Sequence, residues 1–266
     1  MHIEEIIAQI TPINEECRVL AQKRYDDLIK PVGSLAKLEE MITRYAGIIG
    51  KHLKADMTYP KRDLLVWAAA DQSEQVTKLM QGQYPANILA QLTGAQAIPL
   101  QIMAENEEEA LEEGAMLVAE YIHKGQLGLL GFGCLAAADD AIVLNAMAGG
   151  ILQAAALKVP VMLDGLATCR AAAKALELAP AVQPYIFAGH VSAENGAEEA
   201  VAGLNLSAPL RLNIADGAGE GAAVAFTLFN AGIRAYTEME TFAEAGVHVE
   251  VKEFSHHEQV KEGKEQ

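Results

Sequence analysis

The feature that most constrains this chain is an alternation. Short apolar runs at 64–70 (LLVWAAA), 127–133 (LGLLGFG), 159–163 (VPVML), 184–188 (PYIFA) and 210–215 (LRLNIA) are separated by longer Ala/Leu-rich stretches. Each run is too short for a typical helix, and apolar strands alternating with helices predict a parallel sheet covered on both faces. The fold class is therefore α/β. Several runs end in Asp or Gly: Asp71, Gly131, Asp164-Gly165, Gly189-His190 and Asp216-Gly217. Parallel sheets bind ligands beyond the carboxyl ends of their strands, so these residues mark where chemistry is expected.

Outside the alternating region the pattern differs. Ile3, Ile6, Ile7 and Ile10 recur at helical spacing, and Leu35, Leu38, Met41, Ile42 and Tyr45 repeat it after Ser34, read as an N-cap. The expected organisation is a helical subdomain over 1–60, an α/β domain over 61–250 and a charged tail over 251–266 that frays. Residues 141–163 carry one charge, Lys158, which raises the question of a membrane span. Asn145, Gln153, Gly149, Gly150 and Pro160 within it favour a buried helix running into a strand.

Charge narrows the partners. Asp and Glu number 36 against 20 Lys and Arg, a net charge of −16. Such a surface repels phosphate backbones and anionic lipid, which excludes nucleic acid and membrane as natural partners and leaves small-molecule chemistry. Cys17, Cys134 and Cys169 share no metal-ligand spacing and read as reduced, buried thiols of a cytoplasmic protein. The acidic, amphipathic start MHIEEIIAQI does not read as a signal peptide. His256-His257 lacks companion metal ligands, and His123 and His248 read as edge residues.

The most informative segment is 210–223, LRLNIADGAGEGAA, where a strand would lead through Asp216-Gly217-Ala218-Gly219-Glu220-Gly221 into a helix from about Ala222. Glycines at such a turn let backbone N–H groups approach an anion, or serve only to pack a strand against a helix. Asp216 and Glu220 oppose direct phosphate binding and suit a base, a ribose hydroxyl or a proton. His190 closes YIFAGH, with Ser192 and Glu194 following; Ser192 is expected to cap the next helix, with Glu194 in its first turn. Asp164, at the end of VPVMLDG, suits a ligand hydroxyl or the cap of the helix after it.

Taken together, these segments resemble the nicotinate-nucleotide:dimethylbenzimidazole phosphoribosyltransferase family. Leu28-Ile29-Lys30-Pro31-Val32-Gly33-Ser34-Leu35 is similar to its L-T-K-P-x-G-S-L signature. AMAGGILQAAA at 146–156, VPVMLDG, AGHVSAENG at 188–196, PLRLNIADGAGEGAAVAF and Glu238-Met239-Glu240-Thr241-Phe242 to Val247 resemble further motifs in family order. The resemblance implies a Rossmann-like three-layer sheet with a small helical subdomain built from the chain ends, and a homodimer. It implies transfer of phosphoribose from nicotinate mononucleotide to a benzimidazole nitrogen, as in cobalamin lower-ligand synthesis, with no metal or cofactor. A glutamate would take the proton of the attacking nitrogen. Carried onto this chain, Glu220 would be that base, with Gly131, Gly133, Asp164, His190, Ser192, Gly217 and Gly219 holding a nucleotide and an aromatic base.

The chain departs from the pattern at the expected site. The family's D-H-G-V loop and its G-V-S-x-Y-P continuation are represented only by Asp71-Gln72-Ser73-Glu74-Gln75-Val76-Thr77, and the acidic position of G-E-M-G-I-G-N-T-T is Leu129. A gapless alignment puts Ala218, not Glu220, at the base; a two-residue gap restores Glu220. Two main readings follow: a transferase that uses Glu220, or a relative that binds a nucleotide or aromatic base without turnover. A third is a structural partner of a full-length family member.

Overall fold

The computed structural model describes residues 2–54 and 56–247. Five parallel strands, β1 (Arg62–Ala68), β2 (Ala97–Gln101), β3 (Leu129–Cys134), β4 (Val161–Leu163) and β5 (Ile186–Ala188), form one sheet in the order β2-β1-β3-β4-β5. The chain passes through α1 (Ile3–Ile7), α2 (Glu15–Asp27) and α3 (Lys37–Ile49) before β1. Helices α4 (Ser73–Met80) and α5 (Pro85–Gln91) precede β2, and α6 (Glu107–Gly125) precedes β3. Then come α7 (Ala141–Ala156), α8 (Leu166–Leu178) after β4, α9 (Ala197–Gly203) after β5 and the long α10 (Glu220–Glu238).

Alternation along the strands explains the two covered faces. A Cβ on Gly131 would meet Phe226 and Ala222 of α10, whereas its neighbour Phe132 stacks edge-on with Trp67, against which Gly150 of α7 is packed. So α10, with α3 and α5, covers one face, and α7, with α6 and α8, covers the other. The nearly charge-free 141–163 stretch is the expected buried helix and strand: Asp140 caps α7 by accepting from the Val143 amide at 3.0 Å. Among the described residues no helix is long and apolar enough to cross a membrane.

One expected strand does not form and one unexpected strand does, each for a physical reason. The run 210–215 forms no strand: one parallel bridge joins Leu210 to His190, and Asn213 then turns left-handed at φ 57°. Arg211, Leu212 and Asn213 are exposed there, so the segment lacks the second covered face that a central strand needs. Strand β2 carries no long apolar run, because as an edge strand it is only half-buried and it tolerates Pro99. The strands 159–163 and 184–188 are also trimmed to three residues each, behind Pro160 and a 3₁₀ turn holding Pro184.

The N-terminal helices and the end of α10 meet. Tyr25 donates its hydroxyl to the Gly232 carbonyl at 2.7 Å, and the Phe242 amide donates to the Asp27 carbonyl at 2.9 Å. The K-P-x-G-S-L turn is fixed by Lys30, which pairs with the buried Glu39 at 2.8 Å. Ser34 does not cap α3, which starts at Lys37 behind Ala36; Glu39 instead reaches back to accept from the Leu35 amide. The tail 251–266, His248 and His256-His257 lie outside the described residues.

Candidate active site at the carboxyl ends of β4 and β5

Asp164 follows β4 directly and is 2% exposed. Its two carboxylate oxygens accept from the Gly219 amide at 2.8 Å and the Ala222 amide at 3.1 Å. Asp164 therefore caps α10, 55 residues further along, rather than the helix that follows it. The first amides of a helix have no partner inside it, so a carboxylate from another strand satisfies them and meets the positive end of the helix dipole. Burial and the neighbouring Glu220 push Asp164 up to about 7, with the amides of Gly219, Ala222 and Gly221 pulling back.

A second carboxylate repeats the device one strand over. Glu194, in the loop after β5, accepts from the Leu166 amide at 2.8 Å, at the start of α8, and from the Ser192 hydroxyl at 2.9 Å. Ser192 accepts the Glu194 amide at 3.2 Å and also lies 3.2 Å from the Ile214 carbonyl. Contrary to expectation, Ser192 caps no helix and Glu194 is in no first turn: α9 begins at Ala197 behind Gly196, which has φ +85°. The carboxyl ends of the two strands are thus tied to α10 and α8 by Asp164 and Glu194.

Glu220 is different. As the first residue of α10 it is 3% exposed, and neither carboxylate oxygen has a hydrogen-bond partner among the described residues. Burial raises its pKa and the charge of Asp216 adds to the effect; the amides of Ala86, Ala218 and Glu220 itself moderate it without reaching hydrogen-bonding geometry. His190 also has both ring nitrogens unpartnered among the described residues, with Nδ1 3.9 Å from Asp164, and burial lowers its pKa. A Cβ added to Gly221 would lie 2.3 Å from Asp164 and 2.6 Å from His190, which places all three at one point. A buried carboxylate without partners costs folding free energy, yet its raised proton affinity suits a base.

The structure thus brings Asp164, His190, Ser192, Gly217, Gly219 and Glu220 together. Gly131 and Gly133 belong to β3, beneath them. A Cβ on Gly133 would sit 2.2 Å from the Ala218 carbonyl oxygen, so glycine there lets the 217–219 turn lie on the strand, where Cys134 donates its amide to the Gly217 carbonyl at 2.8 Å. Gly217 and Gly219 take φ +70° and +113°, a region that other residues enter at a cost. Residues 191–196, with Glu198, Glu199, Arg211 and Asn213, line an adjoining cleft of about 290 Å³.

Two contributors carry no legible signal for the roles they play. Nothing local marks Glu194 as the cap of α8, and Gln72 stands in the sequence only as part of a shortened loop. Gln72 accepts from the Ala69 amide at 2.8 Å and donates to the Leu135 carbonyl at 2.7 Å, tying the ends of β1 and β3 together. That is where this strand order reverses direction and where such sheets often open a ligand crevice.

Comparison with known proteins gives one answer. A family described as phosphoribosyltransferase matches residues 10–126 and 134–247. The nicotinate-nucleotide–dimethylbenzimidazole phosphoribosyltransferase of Chloroflexus aggregans is 27% identical over 344 aligned positions, covering 92% of this chain and 98% of that protein. With 266 residues, this chain leaves at least 78 of those 344 positions empty, so the shortening is real. The protein of the same name from Ruegeria sp. is 36% identical over 143 residues, 54% of this chain and 41% of that one. A crystal structure of the Thermus thermophilus protein of that name shares the fold, with a TM-score of 0.78 at 22% identity over 90% of this chain and 100% of that one. On its matched segments, its sheet and its strand-end motifs, the chain belongs to the nicotinate-nucleotide:dimethylbenzimidazole phosphoribosyltransferase family.

Proposed function

We propose that this chain transfers phosphoribose from nicotinate mononucleotide to a benzimidazole-type base, with Glu220 as the proton acceptor, in cobalamin lower-ligand synthesis. The observation that carries the proposal is the buried, unpartnered carboxylate of Glu220 at the carboxyl end of the sheet. In the reaction a ring nitrogen of the base bonds to the anomeric carbon. The bond from that carbon to the nicotinate nitrogen breaks, and its electron pair leaves with nicotinate. The proton on the attacking base passes to Glu220. A carboxylate of raised pKa is a stronger base than an ordinary one, and a positioned base is worth about 10²–10⁴-fold in rate.

In this reading the other groups hold the scene. Asp164 fixes the first turn of α10 and so the place of Glu220. His190, Ser192 and the Gly217–Gly219 turn surround the reacting atoms, and Gly131 and Gly133 let that turn sit on β3. The scheme needs no metal or cofactor. A homodimer belongs to the same proposal and is checked by sedimentation.

A second reading, binding without turnover, is favoured by two observations. Leu129, at the family's acidic position, is fully buried in β3, and Gln72 ties together the ends of β1 and β3. Incubating the chain with nicotinate mononucleotide and 5,6-dimethylbenzimidazole or adenine, and resolving products by mass, separates the readings. An α-nucleotide and stoichiometric nicotinate support transfer; ligand-induced thermal stabilisation with no product supports binding alone.

A further inference from the structure

Away from Glu220, the open edge of the sheet at β5 carries a cation with nothing to hold. Arg44 of α3 sits over the ring of Phe187 of β5, its guanidinium carbon 3.6 Å from the ring centroid. None of its nitrogens hydrogen-bonds to another described residue, and Nε is buried without a partner. Burial lowers its pKa to about 10, with Glu40 opposing the shift. Leaving a desolvated guanidinium unpaired is costly, and in a chain of net charge −16 a carboxylate partner would have been easy to supply.

Arg44 lines a cleft of about 90 Å³ together with the loop after α9. Asn205 and Ser207 stand on that loop, and neither side chain hydrogen-bonds to a described residue. Asn205 holds a left-handed φ of 53°. Lys37 and Glu40 also line the cleft, and there the Glu40 carboxylate is paired with the Lys37 ammonium. A guanidinium fork that shares one cleft with a hydroxyl and an amide matches an acceptor with oxygens on several sides.

We propose that this cleft binds a single tetrahedral oxyanion, a phosphate or the phosphoryl group of a phosphomonoester, through Arg44, Ser207 and Asn205. Its size suits one such group and not a whole nucleotide. The site is separate from Glu220 and does not depend on the transfer reaction.

The test is a titration of the full chain with inorganic phosphate at constant ionic strength, read by calorimetry and thermal shift. Saturable binding is expected. Arg44→Gln should weaken it by about tenfold or more, in keeping with the loss of a charge-assisted fork. Ser207→Ala, on an exposed loop where folding is not at stake, should weaken it severalfold. Glu220→Gln should leave phosphate binding as it was, which separates this site from the proposed base. Competition by nicotinate mononucleotide but not by its dephosphorylated nucleoside would assign the group to a phosphomonoester; its absence would assign it to free phosphate. A non-saturating rise in stability, equal in the wild type, Arg44→Gln and Ser207→Ala, would be general salt stabilisation and would overturn the proposal.

Discussion

The carboxyl edge of the sheet is built in two different ways along its length. At β1 and β3 the strand ends are closed: Gln72 joins the Ala69 amide to the Leu135 carbonyl, and Gly133 lets the Ala218 carbonyl rest on the strand. At β4 and β5 two carboxylates serve as remote caps, and beside them Glu220 and His190 are buried without partners. The first region satisfies the backbone groups at its strand ends, and among the described residues its one unpartnered group there is the neutral indole nitrogen of Trp67. The other leaves two unsatisfied, and unsatisfied buried groups persist where function holds them. Glu220 joins the two regions: its turn rests on Gly133 of β3 and Leu64 of β1, and Asp164 of β4 caps the helix it starts, so the proposed chemistry lies beside the reversal to which strand order also points.

Substitutions can break this contrast. Gly133→Ala should have the largest effect on stability, about 4 kcal/mol or more, because its Cβ would fall within 2.5 Å of the Ala218 carbonyl and the Gly219 amide, both backbone. Asp164→Ala should follow at about 3–5 kcal/mol by denaturant unfolding, since it strands the Gly219 and Ala222 amides. Gln72→Ala should cost only about 1–2 kcal/mol, the worth of two hydrogen bonds. If Gln72→Ala costs more than Asp164→Ala, the ranking of the two regions is wrong.

The smallest effect has the opposite sign. Glu220→Gln should raise the melting temperature by a few degrees at neutral pH, because it removes a buried charge that has no partner. The folded pKa of Glu220 lies above its unfolded value, so folding favours the protonated form and the penalty grows as pH rises. The advantage of Glu220→Gln should therefore shrink as pH falls through the folded pKa towards about 4.3, the ordinary glutamate value. An advantage that stays constant with pH would mean that Glu220 is not buried as a charge.

The sheet was largely legible in the sequence because burial on both faces leaves a compositional mark. Trp67, Leu130, Met162 and Phe187 lie within continuous apolar runs. Strand β2 left no such mark, because it is only half-buried, whereas β5, at the other edge, is covered on both faces. The 210–215 run carried a false one, since Leu210, Leu212 and Ile214 alternate although the segment makes a single bridge, to His190, and is exposed at 211–213. The candidate site was legible residue by residue but not in its wiring. That Asp164 caps α10 and Glu194 caps α8 depends on contacts 55 and 28 positions apart, which no local spacing encodes. Glu220 was readable as an acid in a glycine turn; its lack of partners was not.

The most direct test of the account is the pH dependence of single-turnover transfer from nicotinate mononucleotide to 5,6-dimethylbenzimidazole, in the wild type and in Glu220→Gln, from about pH 5 to about pH 8. The wild-type rate should fall on the acid side with a midpoint above the ordinary glutamate range, because burial raises the pKa of Glu220. Glu220→Gln should be slower by about 10²–10⁴-fold and should lose that acid limb while binding nicotinate mononucleotide as before. An acid limb that survives in Glu220→Gln, at an unchanged rate, would remove Glu220 from the chemistry and contradict the account.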